Sequence, residues 1–200
     1  MFALSADTSG VFVPRLAAPA VAVVIAAGLC GCDARAPAAT PSPAAPATSA
    51  AYAFGGTDRA WIEINIAMNQ ALVPLLDLAP AHSHDEAVRA LAGRLKDLHA
   101  KEMVILRQLH DEAGLPAENP HVGMPMPGMV TPALVAEAAA TEGPAFDSLF
   151  RQHLREHLEQ GVRLAESETK SGVEPRSKQL ATDMIARRTA YLTKLGKAPK

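Results

Sequence analysis

The chain has 200 residues, a formal net charge of -2 and two cysteines, and no basic patch dominates it, which excludes a nucleic-acid binder held by phosphate contacts. Aromatics make up only 4% of the residues while Ala and Leu supply most of the apolar mass, a composition that favours helices over sheets. No P-loop, dinucleotide fingerprint, CxxC pair or Ser-His-Asp arrangement is present, so an NTPase, a thiol oxidoreductase or a hydrolase has no support, and a binding protein rather than an enzyme is expected.

Arg15 precedes an uncharged run from Leu16 to Gly31 that ends Leu29-Cys30-Gly31-Cys32. A positive flank followed by an apolar stretch too short for a comfortable membrane span reads as a secretory signal over residues 1–31. Its end resembles the bacterial lipoprotein box, which implies cleavage before Cys32, lipidation of that cysteine, and anchoring to the extracytoplasmic face of a cell membrane. An ordinary secretory signal cut at another small residue is the alternative. With cleavage at the box, Cys30 leaves with the signal and no intramolecular disulfide remains. Residues 32–56 then form a linker, because from Asp33 onward the chain is Ala, Pro, Thr and Ser with almost no large apolar residue and cannot bury a core.

Folded structure is expected over residues 57–197, starting at Thr57-Asp58 as an N-cap pair. The first helix, about Asp58 to Ala79, carries Trp61, Ile64, Met68, Ala71, Leu72 and Leu75 at helical spacing, and Pro74 is expected to kink it. The second, about Asp85 to Ala113, has the stripe Val88, Leu91, Leu95, Leu98, Glu102, Ile105, Leu109, a heptad reading that sets Glu102 at a core position. Gly114 suits the residue after a helix end, and a Pro, Gly and Met loop follows to Val130. Thr131 caps a short helix, about Pro132 to Ala140. The third long helix, about Pro144 to Ser171, has Phe146, Phe150, His153, His157 and Gly161 on its inward stripe. The last, about Pro175 to Leu195, turns Leu180, Met184, Tyr191 and Leu195 inward and brings Arg187 or Arg188 near the same face. The pattern predicts an all-α four-helix bundle of two hairpins with a short extra helix in the central connection. A weak duplication between the halves would set the middles of the four long helices side by side.

Polar residues at those middles need partners, because an isolated buried charge costs several kcal/mol. His153 and His157, four residues apart on one face, can aim at one ion, with an oxygen from Glu102 and a thioether from Met68 completing the set. His121, Met124, Met126 and Met129 make a second, softer set on the loop, suited to cuprous ion. The alternatives are neutral, hydrogen-bonded histidines with Glu102 neutralised by Arg187 or Arg188, and loop methionines that only fill gaps over the end of the bundle. His82, His84 and His110 are expected at the surface, and Asp85-Glu86 as compensation of the helix dipole.

Two stretches, Gly123-Met124-Pro125-Met126-Pro127-Gly128-Met129-Val130-Thr131-Pro132 and Ala145-Phe146-Asp147-Ser148-Leu149-Phe150, resemble the bacterial DUF305 family. That family's mid-helix His-His-Glu-Gly falls on His157-Leu158-Glu159-Gln160, where one histidine and the glutamate survive, and in the first half its His-His falls on Met68-Asn69. Its Gln-x-x-Glu-Ile falls on His99 to Met103, which retains Glu102 and puts His99 in place of Gln, and on Arg187 to Tyr191, which retains neither. The resemblance implies a ferritin-like helical bundle, secreted or lipid-anchored, with copper or another divalent metal as its partner and His99 added to the candidate ligands. A bundle that has lost its metal and acts as an envelope scaffold or interaction module is the competing expectation. A di-iron enzyme would want two Glu-x-x-His motifs, which are not found.

Overall fold

The computed structural model describes residues 53–197. The segment expected to be a signal, Cys32 and nearly all of the expected linker lie outside the described residues. Within them the chain is all-helical, with five helices and no strand.

Helix α1 spans Gly56–His82. It begins one residue before the expected Thr57-Asp58 cap because Gly55, in extended backbone, takes the N-cap place. Asp58 acts from the first turn instead, accepting from Gly55 N at 2.7 Å and from the backbone N–H groups of Val173 and Glu174 at 3.0 Å each. One carboxylate thus fixes the start of α1 to a turn more than a hundred residues away. The helix runs on through Pro74 and Pro80.

Helix α2 spans Glu86–Glu112. Asp85 is its N-cap, accepting from Ala87 N at 2.8 Å, and also meets Arg151 at 2.6 Å. The helix closes as a Schellman turn: Gly114, at φ 61°, and Leu115 return their N–H groups to Asp111 and His110. The heptad reading of its inner face is corrected. Ile105 is 41% exposed and Leu98 only half-buried, whereas His99 and Leu106 are buried. A straight helix turns once per 3.6 residues, so a stripe drawn at 3.5 drifts off the core within a few turns.

Helix α3, Pro132–Ala139, is capped by the Thr131 hydroxyl and rests on α1 and on α4, which spans Gly143–Ser171. Helix α5 spans Pro175–Lys197, and the Glu174 carboxylate caps it by accepting from Ser177 N at 2.5 Å. Pairs α1/α2 and α4/α5 pack together, and α1 joins the pairs through α4. Beside the α4–α5 turn the Glu168 carboxyl is buried against Asp58. Burial first, then the Asp58 hydrogen bond, pushes its pKa up to about 8.

Apolar residues form two main clusters. One gathers Leu72, Leu75, Leu95, Phe146, Phe150, Leu154 and Leu195; the other gathers Trp61, Ile62, Ile66, Leu106, Leu109, Leu180 and Met184. Near the junction of these clusters every long helix buries polar residues: Asn65 and Asn69 on α1, His99 and Glu102 on α2, His157 on α4 and Arg188 on α5. The middles of the four long helices do meet.

Candidate functional site

Arg188 dominates this polar layer. It is 1% exposed, and its guanidinium meets Glu102 Oε2 at 3.2 Å, Asn69 Oδ1 at 3.3 Å and Asn65 Oδ1 at 3.5 Å. Asn69 also donates to Glu102 Oε2 at 3.3 Å. Of the two arginines considered from sequence, Arg188 neutralises Glu102, while Arg187 lies outside near Asp183. Burial lowers the pKa of Arg188, and the Glu102 charge works to raise it again. Gly161 makes the arrangement sterically possible: a Cβ on that residue of α4 would overlap the guanidinium.

One turn before Glu102, His99 stands against His157, with ring centres 5.3 Å apart and planes inclined by 36°. Both are 1% exposed. Burial, then the charge of Arg188, pulls His157 down to about 3. His99 is held well below its usual value by burial, then by His157 and Arg188. Both rings are therefore neutral at physiological pH. His157 Nδ1 meets the carbonyl of Gly128 at 3.3 Å. Gly128, at φ 74°, lets the loop lie on α4, since a Cβ there would stand 2.6 Å from Glu156 O and from Gln160 Cβ.

His153 is buried one turn earlier, with Nδ1 at 3.6 Å from Glu156 Oε2. Among the described residues no three His, Cys, Asp or Glu side chains converge as a metal site requires, so His153, His157 and Glu102 are not brought together as one set. Met68 leaves that set for the other: it packs with Met129, and Met126 joins them, in a cluster completed by Ala67, Ile64, Ala71 and Leu164. Met124 is 41% exposed, and His121 reaches instead toward Glu63 at 3.9 Å. Sequence reasoning missed Asn65 and the role of Asn69, although their spacing of four on a buried face is the signal that marked His153 and His157. Two of the histidines expected at the surface are half-buried: His82 bonds Thr141 O at 2.8 Å, and His110 bonds Pro116 O at 3.1 Å.

The family model described as Domain of unknown function (DUF305) matches residues 58–198. The chain belongs to the DUF305 family. No curated protein matches it significantly. A DUF305 protein from Streptomyces coelicolor superimposes with a TM-score of 0.63 at 22% identity, over 70% of this chain and 89% of that one. A DUF305 fragment from Deinococcus radiodurans gives 0.64 at 15% identity, over 72% and 95%. CopM in its Cu(I)-bound form gives 0.59 at 16% identity, over 70% and 93%. At such identities the likeness shows the DUF305 fold. No helix among the described residues is long and apolar enough to cross a membrane.

Proposed function

We propose that this DUF305 chain binds copper in the cuprous state, without catalysing a reaction, through the thioethers of Met68, Met126 and Met129. The observation that carries the reading is the packing of a methionine of α1 with two from a Pro- and Gly-rich loop that periodicity does not tie to it. Thioether sulfur is a soft donor that favours Cu(I) over harder divalent ions. CopM, of similar fold, has been solved with Cu(I) and with Cu(II). We read the long helices as a ferritin-like four-helix bundle of two hairpins. Residues 1–31 are read as a signal, and the lipid on Cys32 as an anchor to the extracytoplasmic face of the membrane.

The second reading is a scaffold that holds no metal. It is favoured by one observation: Arg188 occupies the polar layer and takes the charge of Glu102. Anaerobic titration of the chain with Cu(I) against a competing chelator separates the two. Sulfur-bound copper is expected, with Met68→Leu and Met129→Leu each weakening its retention by about tenfold or more, the loss of one soft donor from a small set. Wild-type protein that retains no copper would leave the scaffold.

A further inference from the structure

Two carboxyl groups meet at the end of the bundle where α1 starts and α4 turns into α5. Asp58 is fully buried, and N–H groups from both sides of the contact serve it: Gly55 N at 2.7 Å, and Val173 N and Glu174 N at 3.0 Å each. Glu168 is also fully buried, yet no N–H or O–H group among the described residues reaches either of its oxygens. What its side chain meets is the Asp58 carboxylate. Two ionised carboxylates repel at that range, so a hydrogen bond between them requires a proton. Asp58, with its three N–H donors, is the half that keeps its charge. Glu168 carries the proton, in the last turn of α4 where the helix carbonyls disfavour a negative group.

The surroundings give that proton a structural task. Gly172 closes the α4–α5 turn directly over Glu168, since a Cβ on the glycine would stand 2.4 Å from Oε1. Gly55 is the N-cap of α1, and Phe54 before it packs on the cluster that contains Trp61, the only tryptophan of the chain. Glu168 also borders a crevice of about 370 Å³ together with Thr57, Trp61 and Ser167. An ionised Glu168 therefore has somewhere to turn, toward two hydroxyl groups and solvent and away from the charge that repels it. Besides burial itself, the groups facing it are Asp58 of α1, Lys178 of α5 and Glu174 of the turn, which is paired with Arg176 at 2.9 Å. Asp58 and Glu174 favour the proton and Lys178 opposes it.

We infer that Asp58 and Glu168 form a proton-held clasp between the start of α1 and the α4–α5 turn, which opens in alkaline solution and frees the chain at Phe54-Gly55. With the proton, one hydrogen bond and the N–H groups around Asp58 hold both segments together. Without it, two negative charges face each other in a buried place, Glu168 turns into the crevice, and the turn loses the side chain on which Gly172 rests. The bundle holds elsewhere through its two apolar clusters, so the opening is local. The clasp does not depend on the copper reading.

The test is acrylamide quenching of Trp61 fluorescence in the full chain from about pH 6 to about pH 9.5, with far-UV circular dichroism as the measure of helix. Trp61 is 3% exposed, so quenching should start low. It is expected to rise in a single-proton step centred near pH 8 while the helical signal holds. Glu168→Gln keeps a donor for Asp58 and cannot ionise, so the step should vanish with Trp61 shielded throughout. Asp58→Asn removes the neighbouring charge and should move the step to lower pH. Should one variant fail to fold, the other decides. A folded Glu168→Gln that keeps the step, or a folded Asp58→Asn that leaves it in place, would overturn the clasp. So would a wild type with no step, or a step accompanied by loss of helix. A shifted emission without added quenching would overturn it as well, because the carboxyl would then ionise while the contact stays shut.

Discussion

Two polar groups sit side by side in the middle of this bundle, sharing helix α2, and they are finished differently. In the Glu102–Arg188 group each charge faces its opposite, Asn69 bridges the pair and Asn65 accepts from the guanidinium. In the His99–His157 group three of four ring nitrogens face no protein partner. A buried ion pair cancels its own charge, although Glu102 Oε1 and Arg188 Nε are left without a hydrogen-bond partner. Neutral imidazoles with free lone pairs are open. Burial alone does not distinguish the two groups; one is a charge pair and the other a pair of neutral rings.

The comparison breaks most visibly at Arg188. Arg188→Met should leave the Glu102 carboxylate buried without a counter-charge and cost about 3–5 kcal/mol of folding stability. Glu102→Leu combined with Arg188→Met should recover most of that loss, since both charges then disappear together. Urea denaturation of the three proteins measures it. A single variant as stable as wild type would mean that Glu102 is already neutral.

The caps and helical stripes carried most of the fold: Thr131 before α3, Gly114 after α2, and the Phe146, Phe150, His157, Gly161 stripe of α4 all stand as the sequence implied. Glu102 was legible as a buried carboxylate for the same reason, a charge on an apolar stripe. The neighbour that matters to His157 was harder to see, because the heptad phase pointed Leu98 inward and left His99 off the stripe by one residue. The packing of Met68 with the loop methionines was hidden for a different reason. A loop rich in Pro and Gly has no period, so nothing in its spacing tells that Met126 and Met129 fold onto α1. Arg187 and Arg188 could be narrowed to a pair but not separated, since adjacent positions on α5 differ by only about 100° around the axis.

Gly161 sharpens the closed half of the comparison. Its missing side chain is what Arg188 passes through, so Gly161→Ala should force the guanidinium out of place at a cost of about 1–3 kcal/mol, despite the better helix propensity of Ala. In the background of Arg188→Met, where a flexible thioether replaces the guanidinium, the same change should cost much less. A double-mutant cycle reads the difference as a coupling energy. Additive costs would mean that the glycine serves helix packing and not the arginine.

The smallest effect is the dependence of stability on pH, where the open group and Glu168 oppose each other. His99 and His157 are depressed below their unfolded value of 6.5, so their contribution is present above pH 6.5 and is lost as pH falls below it, because the unfolded chain binds protons that the folded one refuses. His99 faces His157 and Arg188, neither of which offers a negative charge to offset this. Glu168 has the reverse sign. Raised from 4.5 to about 8 by burial and by Asp58, with Glu174 adding to the rise and Lys178 opposing it, its contribution is present below pH 4.5 and is lost as pH climbs through 8. Between 4.5 and 6.5 two histidines outweigh one glutamate and stability rises with pH; between 6.5 and 8 only Glu168 titrates and stability falls. A maximum near neutrality follows, with limbs below about 1.4 kcal/mol per pH unit because the net count is under one proton on each side. Unfolding midpoints in urea across pH 4.5–8.5 should trace this dome, with Glu168→Gln flattening the alkaline limb and His99→Phe the acid one. A profile in which His99→Phe leaves the acid limb unchanged would show that the ring keeps its proton.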